Sequence, residues 1–164
     1  MSEPTIRDAA PTEVAAITEI LNHYITHSTA TFITAPETPE ERTRWLHERS
    51  AAHPAIVAKL AERVVAWGAL GPFRQRAAYQ HTVEISVYVH HDFHRRGLGR
   101  AILNELLLRA RAAKHHVVVG GCCTESVASI RLLEAFGFTR VGCFPEVGRK
   151  FDRWLDVVFL QLRL

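Results

Sequence analysis

A basic, glycine-containing segment gives the first indication of chemistry in this 164-residue sequence. Residues 95–100 read Arg-Arg-Gly-Leu-Gly-Arg and stand directly before an apolar-periodic segment. The first turn of a helix has unpaired backbone N–H groups and partial positive charge, and a glycine leaves no side chain in front of them. This combination suits a phosphate or pyrophosphate group. The nucleotide-triphosphate loop and the dinucleotide fingerprint are excluded, because the Gly-Lys-Ser/Thr and the third glycine are missing.

A carboxylate upstream of this segment is the second candidate for chemistry. Glu84 lies in the middle of the apolar run Thr82–Val89, whose period-two alternation predicts a strand. A carboxylate in such surroundings has a raised pKa and suits a general base. The alternative is a glutamate on the solvent side of the strand. The segment from Ala101 to Lys114 has helical spacing, so the unit is strand, basic turn and helix.

These residues carry a resemblance to a known family. The strand Thr82–Val89 followed by residues 95–100 resembles the pyrophosphate loop of the GNAT acyltransferases, which holds the pyrophosphate of acetyl-CoA. Ala128–Phe138 and Val147–Asp156 resemble two further segments of its phosphinothricin and methionine sulfoximine acetyltransferase subfamily. The order and spacing of these segments agree along nearly the whole chain. The resemblance implies one GNAT domain over residues 1–164, an α/β three-layer sandwich whose mixed central sheet has splayed central strands.

The resemblance also assigns roles to individual residues. It makes Glu84 the base, acting directly or through water, and it makes acetyl-CoA the co-substrate. The pantetheine arm would pair with the backbone of the strand as an added strand does. The complete set of implied cofactor-binding residues is Val87, Tyr88, Val89, Arg95, Arg96, Gly97, Leu98, Gly99, Arg100 and Ser126. Ser126 replaces an asparagine of the family and has a shorter reach.

The acceptor is expected at the loop before the central strand. This loop carries Arg74 and Arg76 beside aromatic residues, and an arginine fork pairs bidentately with a carboxylate. A surface loop with snorkelling side chains is the alternative. In the subfamily, the loop holds an amino-acid substrate and residues 23–32 help to wall its pocket. The implied acceptor-binding residues are Arg74, Gln75, Arg76, Glu84, Ile85 and Ser86.

Two departures from the subfamily pattern concern proton transfer and the shape of the cleft. Leu133 stands where the subfamily often has a histidine and the wider family a tyrosine, so no general acid is assigned. Water, His81 or Tyr88 would then protonate the leaving thiolate. Gly120–Cys123, which begins with two glycines, departs from the commoner Ala-Ala-Ile-type run on the following strand, which reshapes the acetyl end of the cleft.

The bulk composition excludes several classes of protein. A hydrophobic content of 48% predicts a packed globule, and the net charge of +3 is dispersed, which disfavours nucleic-acid binding. No apolar run is long enough for a membrane span, and the N-terminal residues lack signal-peptide character. Three cysteines, an odd number, predict no disulfide framework and a reducing cytoplasm. Because adjacent Cys122 and Cys123 would point to opposite faces of a strand, no metal site is predicted.

Alternating strand and helix patterns run along the rest of the chain. Strands are expected at residues 5–8, 55–58, 64–70, 117–123, 139–144 and 154–164, and helices from Pro11, from Thr38 to about Ser50, and from Val127 to Phe136. Thr124–Ser126 would cap the last helix and Gly137 would end it. The segment His23–Phe32 is expected to be irregular.

The sequence thus predicts an acetyl-CoA-dependent N-acetyltransferase that acts by direct attack in a ternary complex. The expected acceptor is the amine of a small amino acid or analogue of the phosphinothricin or methionine sulfoximine type, and the resemblance implies a homodimer. The alternatives are a GNAT enzyme acting on another amine, such as a polyamine or a protein N-terminus, and an acyl-CoA-binding module without turnover. The paired arginines disfavour a cationic polyamine.

Overall fold

The computed structural model describes residues 3–164 as a seven-stranded sheet between two layers of helices. Met1 and Ser2, which belong to the N-terminal segment considered above, lie outside the described residues. The strand order is β1-β2-β3-β4-β5-β7-β6. The strands are β1 Thr5–Asp8, β2 Ala55–Leu60, β3 Arg63–Pro72, β4 Thr82–Val89, β5 Val117–Cys123, β6 Thr139–Lys150 and β7 Arg153–Arg163.

Four α-helices cover the two faces of the sheet. They are α1 Val14–His27, α2 Pro39–His47, α3 Leu98–Ala112 and α4 Val127–Ala135. Single 3₁₀ turns lie at Pro11–Glu13, Ala77–Tyr79 and His91–Phe93. No helix within residues 3–164 combines the length and the apolar character that crossing a membrane requires.

Two apolar cores lie on opposite faces of the sheet. On one face, α3 and α4 pack on β3, β4 and β5, with Val83, Ile85 and Ile102 among the buried residues. On the other face, the inner side of α1 packs on β2 and β3, and Trp67 lies in this core. The predicted three-layer α/β sandwich is therefore confirmed.

Gly68 of β3 allows α3 to lie close to the sheet. A Cβ on Gly68 would lie 2.6 Å from Ile102 Cγ2 and 2.9 Å from Leu106 Cδ1. Both distances are shorter than side chains tolerate, so a larger residue would push the helix away from the sheet. Because α3 follows β4 directly, this contact also fixes where the basic segment stands relative to β4.

The central strands β4 and β5 separate after a short parallel pairing. Their register pairs Thr82–Glu84 with Val117–Val119 and goes no further. The other neighbouring strands pair antiparallel. We call the space between Ile85–Val89 and Gly120–Cys123 the β4–β5 gap. It is the splayed centre that the family resemblance implies.

Most predicted elements are observed, although several of their boundaries differ. The helix α1 continues through His27, so the first half of the expected irregular segment is helical. The helix α2 ends at His47 rather than near Ser50, and α4 ends at Ala135 rather than Phe136. The strand β6 runs to Lys150, well beyond the predicted end at Phe144.

Candidate active site

Glu84 is the last residue of β4 that pairs with β5, so its side chain stands where the β4–β5 gap opens. It lies opposite Gly71 of β3 and Val119 of β5. Burial raises the pKa of the Glu84 carboxyl above its ordinary value, and the positive charge of Arg74 acts in the opposite direction. A carboxylate with a raised pKa at the mouth of a cleft suits proton abstraction.

A Cβ on Gly121 would lie 3.5 Å from Glu84 Oε1, so the glycine leaves room beside this carboxylate. A bulkier residue there would stand directly against the oxygen that has to accept a proton. Gly121, which belongs to the run that departs from the subfamily pattern, therefore lies beside the candidate base.

The loop between β3 and β4 carries the predicted acceptor-binding arginines. Arg74, Gln75 and Arg76 are exposed. Arg74 donates to the carbonyl of Phe73 at 2.7 Å and lies 4.2 Å above the centre of that ring. No carboxylate of residues 3–164 forms an ion pair with Arg74. The positive charge of Arg74 acts to lower the pKa of Glu84, which places this arginine near the candidate base. Since Arg74 forms no ion pair within residues 3–164, its guanidinium group can bind an anion there.

The basic segment forms the N-terminus of α3 in the predicted way. Arg95 has a φ of +60° and Gly97 a φ of +78°, and the first helical hydrogen bond runs from the Ala101 amide to the Gly97 carbonyl at 3.0 Å. The amides of Leu98, Gly99 and Arg100 therefore have no partner within the helix. The side chain of Leu98 is buried and anchors the turn in the α3 core.

The arginines of this segment lie over aromatic rings. Arg96 stands 4.9 Å from the centre of the Phe93 ring, and Arg100 stands 5.1 Å from that of Phe136. Both guanidinium groups remain exposed, as does Arg95. Stacking holds them close to the helix start and leaves their N–H groups free for an anion.

Gly99 brings the start of α3 close to β4 and α4. A Cβ at this position would lie 3.3 Å from Leu132 Cδ2 and 3.8 Å from Val89 Cγ2. The open N-terminus of α3 therefore lies beside the end of the β4–β5 gap. A ligand with an anionic group and an extended arm can contact both places at once.

The hydrogen-bonding pattern of β4 determines which backbone groups face the gap. The His90 amide donates to the Val65 carbonyl, which makes Ala66 and Val89 a non-hydrogen-bonded pair. By alternation, the backbone groups of Ile85, Val87 and Val89 point away from β3 and toward the gap. Those of Tyr88 point toward β3, so Tyr88 does not offer its backbone to a ligand in the gap, contrary to expectation.

The carbonyl of Val89 already has partners. It accepts from the hydroxyl of Tyr24 at 2.6 Å, and His94 Nε2 lies 3.2 Å from it. The amide of Val89 is thus the group that it can offer to a ligand. Tyr24 belongs to residues 23–32, which are expected to be irregular and to wall the acceptor pocket, so its hydrogen bond to β4 is not predicted. The helical spacing of Leu21 and Ile25, on either side of Tyr24, is the sequence pattern that indicates a continuing helix here.

Side chains of β4 alternate between the two faces of the sheet. Ile85 is buried in the α3 core, so its side chain cannot reach an acceptor on the Glu84 side. The Ile85 side chain therefore cannot bind the acceptor as expected. Only the backbone of Ile85 can contact an acceptor. Ser86 and Tyr88 share a face with Glu84. Tyr88 stacks on Trp67 at 4.8 Å between ring centres.

Of the two residues considered for protonating a thiolate, Tyr88 lies along the gap and His81 does not. His81 is exposed and precedes the end of β4 where β5 is paired. Burial raises the pKa of the Tyr88 phenol, so this group keeps its proton near neutral pH. A protonated phenol is a proton donor.

Ser126 lies at the predicted start of α4 but does not cap it with its side chain. Its amide donates to the Cys123 carbonyl at 2.8 Å, and its carbonyl accepts from Ile130 at 3.1 Å. The hydroxyl is therefore left for another partner at the end of β5. Cys122 and Cys123 are buried free thiols. Within residues 3–164, the cluster whose spacing suits a metal ion is His90, His91 and Asp92.

The model of the acetyltransferase (GNAT) family matches residues 17–138, and the chain belongs to that family.

Similar proteins cover nearly the whole chain. An L-methionine sulfoximine/L-methionine sulfone acetyltransferase of Salmonella typhimurium is 39% identical over 161 residues, which cover 98% of this chain and 94% of that protein. A phosphinothricin N-acetyltransferase of Streptomyces viridochromogenes is 38% identical over 156 residues, covering 95% and 85%. The solved structure of yncA from Salmonella typhimurium with its cofactor acetyl-CoA has a TM-score of 0.96 at 38% identity, covering 99% and 95%.

Proposed function

We propose that this protein transfers acetyl from acetyl-CoA to the amine of a small amino acid or analogue, such as methionine sulfoximine or phosphinothricin. The observation that carries the proposal is the position of Glu84 at the mouth of the β4–β5 gap, with the open N-terminus of α3 beside the other end of that gap. The similar enzymes named above support the choice of acceptor. Residues 1–164 would act as one domain.

Acetyl-CoA would bind along the gap. The free amides at the start of α3 and the guanidinium groups of Arg95, Arg96 and Arg100 would hold its pyrophosphate. The outward backbone groups of Val87 would pair with the pantetheine arm. The amide of Val89 and the hydroxyl of Ser126 would donate to the cofactor from the two sides of the gap. A donor that faces the thioester carbonyl polarises it for attack.

The acceptor would bind on the Glu84 side of the sheet. The Arg74 guanidinium would pair with its carboxylate, and Arg76 and Gln75 in the same loop would contact its side-chain oxygens. Ser86 lies two residues beyond Glu84 on the same face and adds a hydroxyl. A cationic polyamine fits this loop poorly, because the arginines repel it.

The reaction would proceed by direct attack without an acyl-enzyme. Glu84 takes a proton from the ammonium form of the acceptor, directly or through water, and leaves a neutral amine. The nitrogen attacks the thioester carbonyl, a C–N bond forms and the C–S bond breaks, and the nitrogen releases its remaining extra proton to water to give the neutral amide. The coenzyme A thiolate leaves with the electron pair and takes a proton from water or from Tyr88.

A thiol-release assay tests this proposal. Purified protein is mixed with acetyl-CoA and with methionine sulfoximine, phosphinothricin, spermidine or a peptide with a free N-terminus. Release with either of the first two supports the proposal, and release with only one of the others assigns a different acceptor. Leu133 is the specific feature that favours the binding-module alternative, because it offers no proton. Tight coenzyme A binding without release on any amine would establish that alternative.

Five large apolar side chains of the β6–β7 hairpin are exposed, which supports a homodimer formed through this hairpin. They are Val141, Phe144, Val147, Phe151 and Trp154.

The free thiols of Cys122, Cys123 and exposed Cys143 suit a reducing compartment, and we place the enzyme in the cytoplasm.

A further inference from the structure

Lys150, at the end of β6, is a buried lysine that forms no ion pair within residues 3–164. Its side chain is 4% exposed. The ammonium donates to the carbonyls of Ser28 at 2.6 Å and Thr31 at 2.7 Å, and it lies 3.5 Å from that of Tyr24. Burial lowers the pKa of Lys150. Three carbonyls match the three N–H donors of an ammonium group, which makes its burial tolerable.

These carbonyls belong to the end of α1 and to the residues that follow it, which we call the 28–32 segment. The negative end of the α1 dipole also faces the ammonium and favours its charge. A second anchor lies two residues earlier in β6. The ring of Phe32 lies directly on Gly148, where any Cβ would collide with it. Two positions of one strand therefore fix the 28–32 segment.

The 28–32 segment lies along the face of β4 that carries Glu84. The Thr31 side chain is close enough to the Tyr88 phenol to act on its pKa. Tyr24, at the end of α1, meets the Tyr88 ring edge-on at 5.3 Å. Tyr88 shares its face with Ser86 and Glu84, so the segment contacts the same face of β4 as the base, four residues further along the strand.

The other side of the segment reaches the start of α4. Thr29 Oγ1 donates to Glu125 Oε2 at 3.3 Å, and Glu125 forms two hydrogen bonds with Arg153 at 2.6 and 3.1 Å. Glu125 directly precedes Ser126. The segment therefore spans from Tyr88 on β4 to the β5–α4 connection, across the end of the β4–β5 gap.

We propose that Lys150 is a positioning residue for the acceptor amine. It touches neither substrate, and it holds the 28–32 segment as a preformed wall beside the Glu84, Ser86 and Tyr88 side chains. Without the ammonium, three carbonyls lose their common partner and the wall must be ordered each time an acceptor binds. The free-energy cost of this ordering weakens acceptor binding. The binding of the pyrophosphate by residues 95–100 is unchanged. The inference rests on the proposed acetyl transfer.

The test compares Lys150→Met, Lys150→Arg and the control Lys114→Met, which removes an exposed lysine beyond the end of α3. Lys150→Met should raise the acceptor KM about tenfold or more, because the hydrogen bonds of a charged group that hold the wall are lost. The acetyl-CoA Kd should stay within about twofold, because an effect on the wall alone leaves the cofactor contacts intact. Lys150→Arg should recover part of the loss, and the control should match the wild type.

Several outcomes would overturn the inference. One is a folded Lys150→Met variant whose acceptor KM is unchanged. Another is a parallel rise of the acceptor KM and the acetyl-CoA Kd, which indicates general loosening. If that variant does not fold, Thr29→Val loosens the other side of the segment and leaves the ammonium in place. An unchanged acceptor KM in Thr29→Val would then refute it. An inactive wild type refutes the proposed function instead, so the two failures are distinguishable.

Discussion

Leu133 of α4 packs directly on the backbone of Gly120 in β5. Its Cδ1 lies 2.5 Å from the position that a Cβ on Gly120 would take, and the leucine is buried in the α3 core. Two departures from the subfamily pattern are thus one packing arrangement. Gly120 makes room for Leu133. Leu133 in turn stands at the position where the subfamily often has a histidine, and the wider family a tyrosine, that is credited with proton transfer.

This contact predicts a destabilisation that a second substitution relieves. Gly120→Ala should lower the free energy of unfolding by about 1 to 3 kcal/mol, because the added methyl overpacks the core. In a Leu133→Ala background the same change should cost much less, since the colliding Cδ1 is gone. Urea unfolding of the wild type, both single variants and the double variant measures the coupling. Additive effects would show that the two residues do not interact as described.

Removing the Glu84 carboxylate should reduce turnover much more than cofactor binding. Glu84→Gln keeps the size of the side chain and removes its capacity to accept a proton. A lost general base lowers kcat by about 10²- to 10⁴-fold, while the acetyl-CoA Kd should change by less than about twofold, since the pyrophosphate site is elsewhere. Steady-state kinetics and calorimetric titration measure the two quantities. Equal turnover in the variant would remove Glu84 as the base.

The same substitution should alter how stability depends on pH. Burial raises the pKa of Glu84 in the folded protein, so the folded state binds more protons than the unfolded state between the two pKa values. The contribution of Glu84 to stability is therefore present below the unfolded pKa and is lost as the pH rises through the folded pKa. Relative to the wild type, Glu84→Gln should gain unfolding free energy as the pH rises from the ordinary pKa of a glutamate through the raised, folded-state pKa of Glu84. A difference that is constant with pH would contradict the raised pKa.

Local sequence patterns predicted the elements whose signal lies within a few residues. The bounds of β1, β4 and β5 were predicted as observed, because alternation or a continuous apolar run marks them. The predicted end of β6 at Phe144 lies directly before Pro145. The strand continues past this proline as an edge strand with register shifts, where a proline is tolerated.

The site depended on distant pairings that local patterns do not contain. The position of Glu84 at the mouth of the gap follows from β4 pairing with β5 for three residues, which joins segments more than 30 residues apart. The inward burial of Ile85 and the turn of the Tyr88 backbone toward β3 follow from the same pairing register. Lys150 reaches the end of α1 across more than 100 residues. Such contacts are set by the fold.

The guanidinium of Arg74 should decide how well a carboxylate-bearing acceptor binds. Arg74→Ala should raise the acceptor KM about 10- to 100-fold, since a charged hydrogen-bond pair is worth about 1.5 to 3 kcal/mol. It should also shift the acid limb of the kcat profile to higher pH, because Arg74 acts to lower the pKa of Glu84. Arg76→Ala is the matched control in the same loop, since the arginine charge that acts on Glu84 is that of Arg74. A larger KM effect in the control would move the carboxylate site to Arg76.

The exposed hairpin residues should determine the mass of the protein in solution. Trp154 is 61% exposed and Phe144 is 54% exposed, and covering such apolar surface favours association. Light scattering should give the wild type twice the 18.5 kDa of one chain. Trp154→Glu should give one chain, because a carboxylate cannot be buried there unpaired. Leu108→Glu, at an exposed leucine of α3, is the matched control and should remain a dimer. A monomeric wild type at about ten micromolar, or a dimeric Trp154→Glu, would place any interface elsewhere.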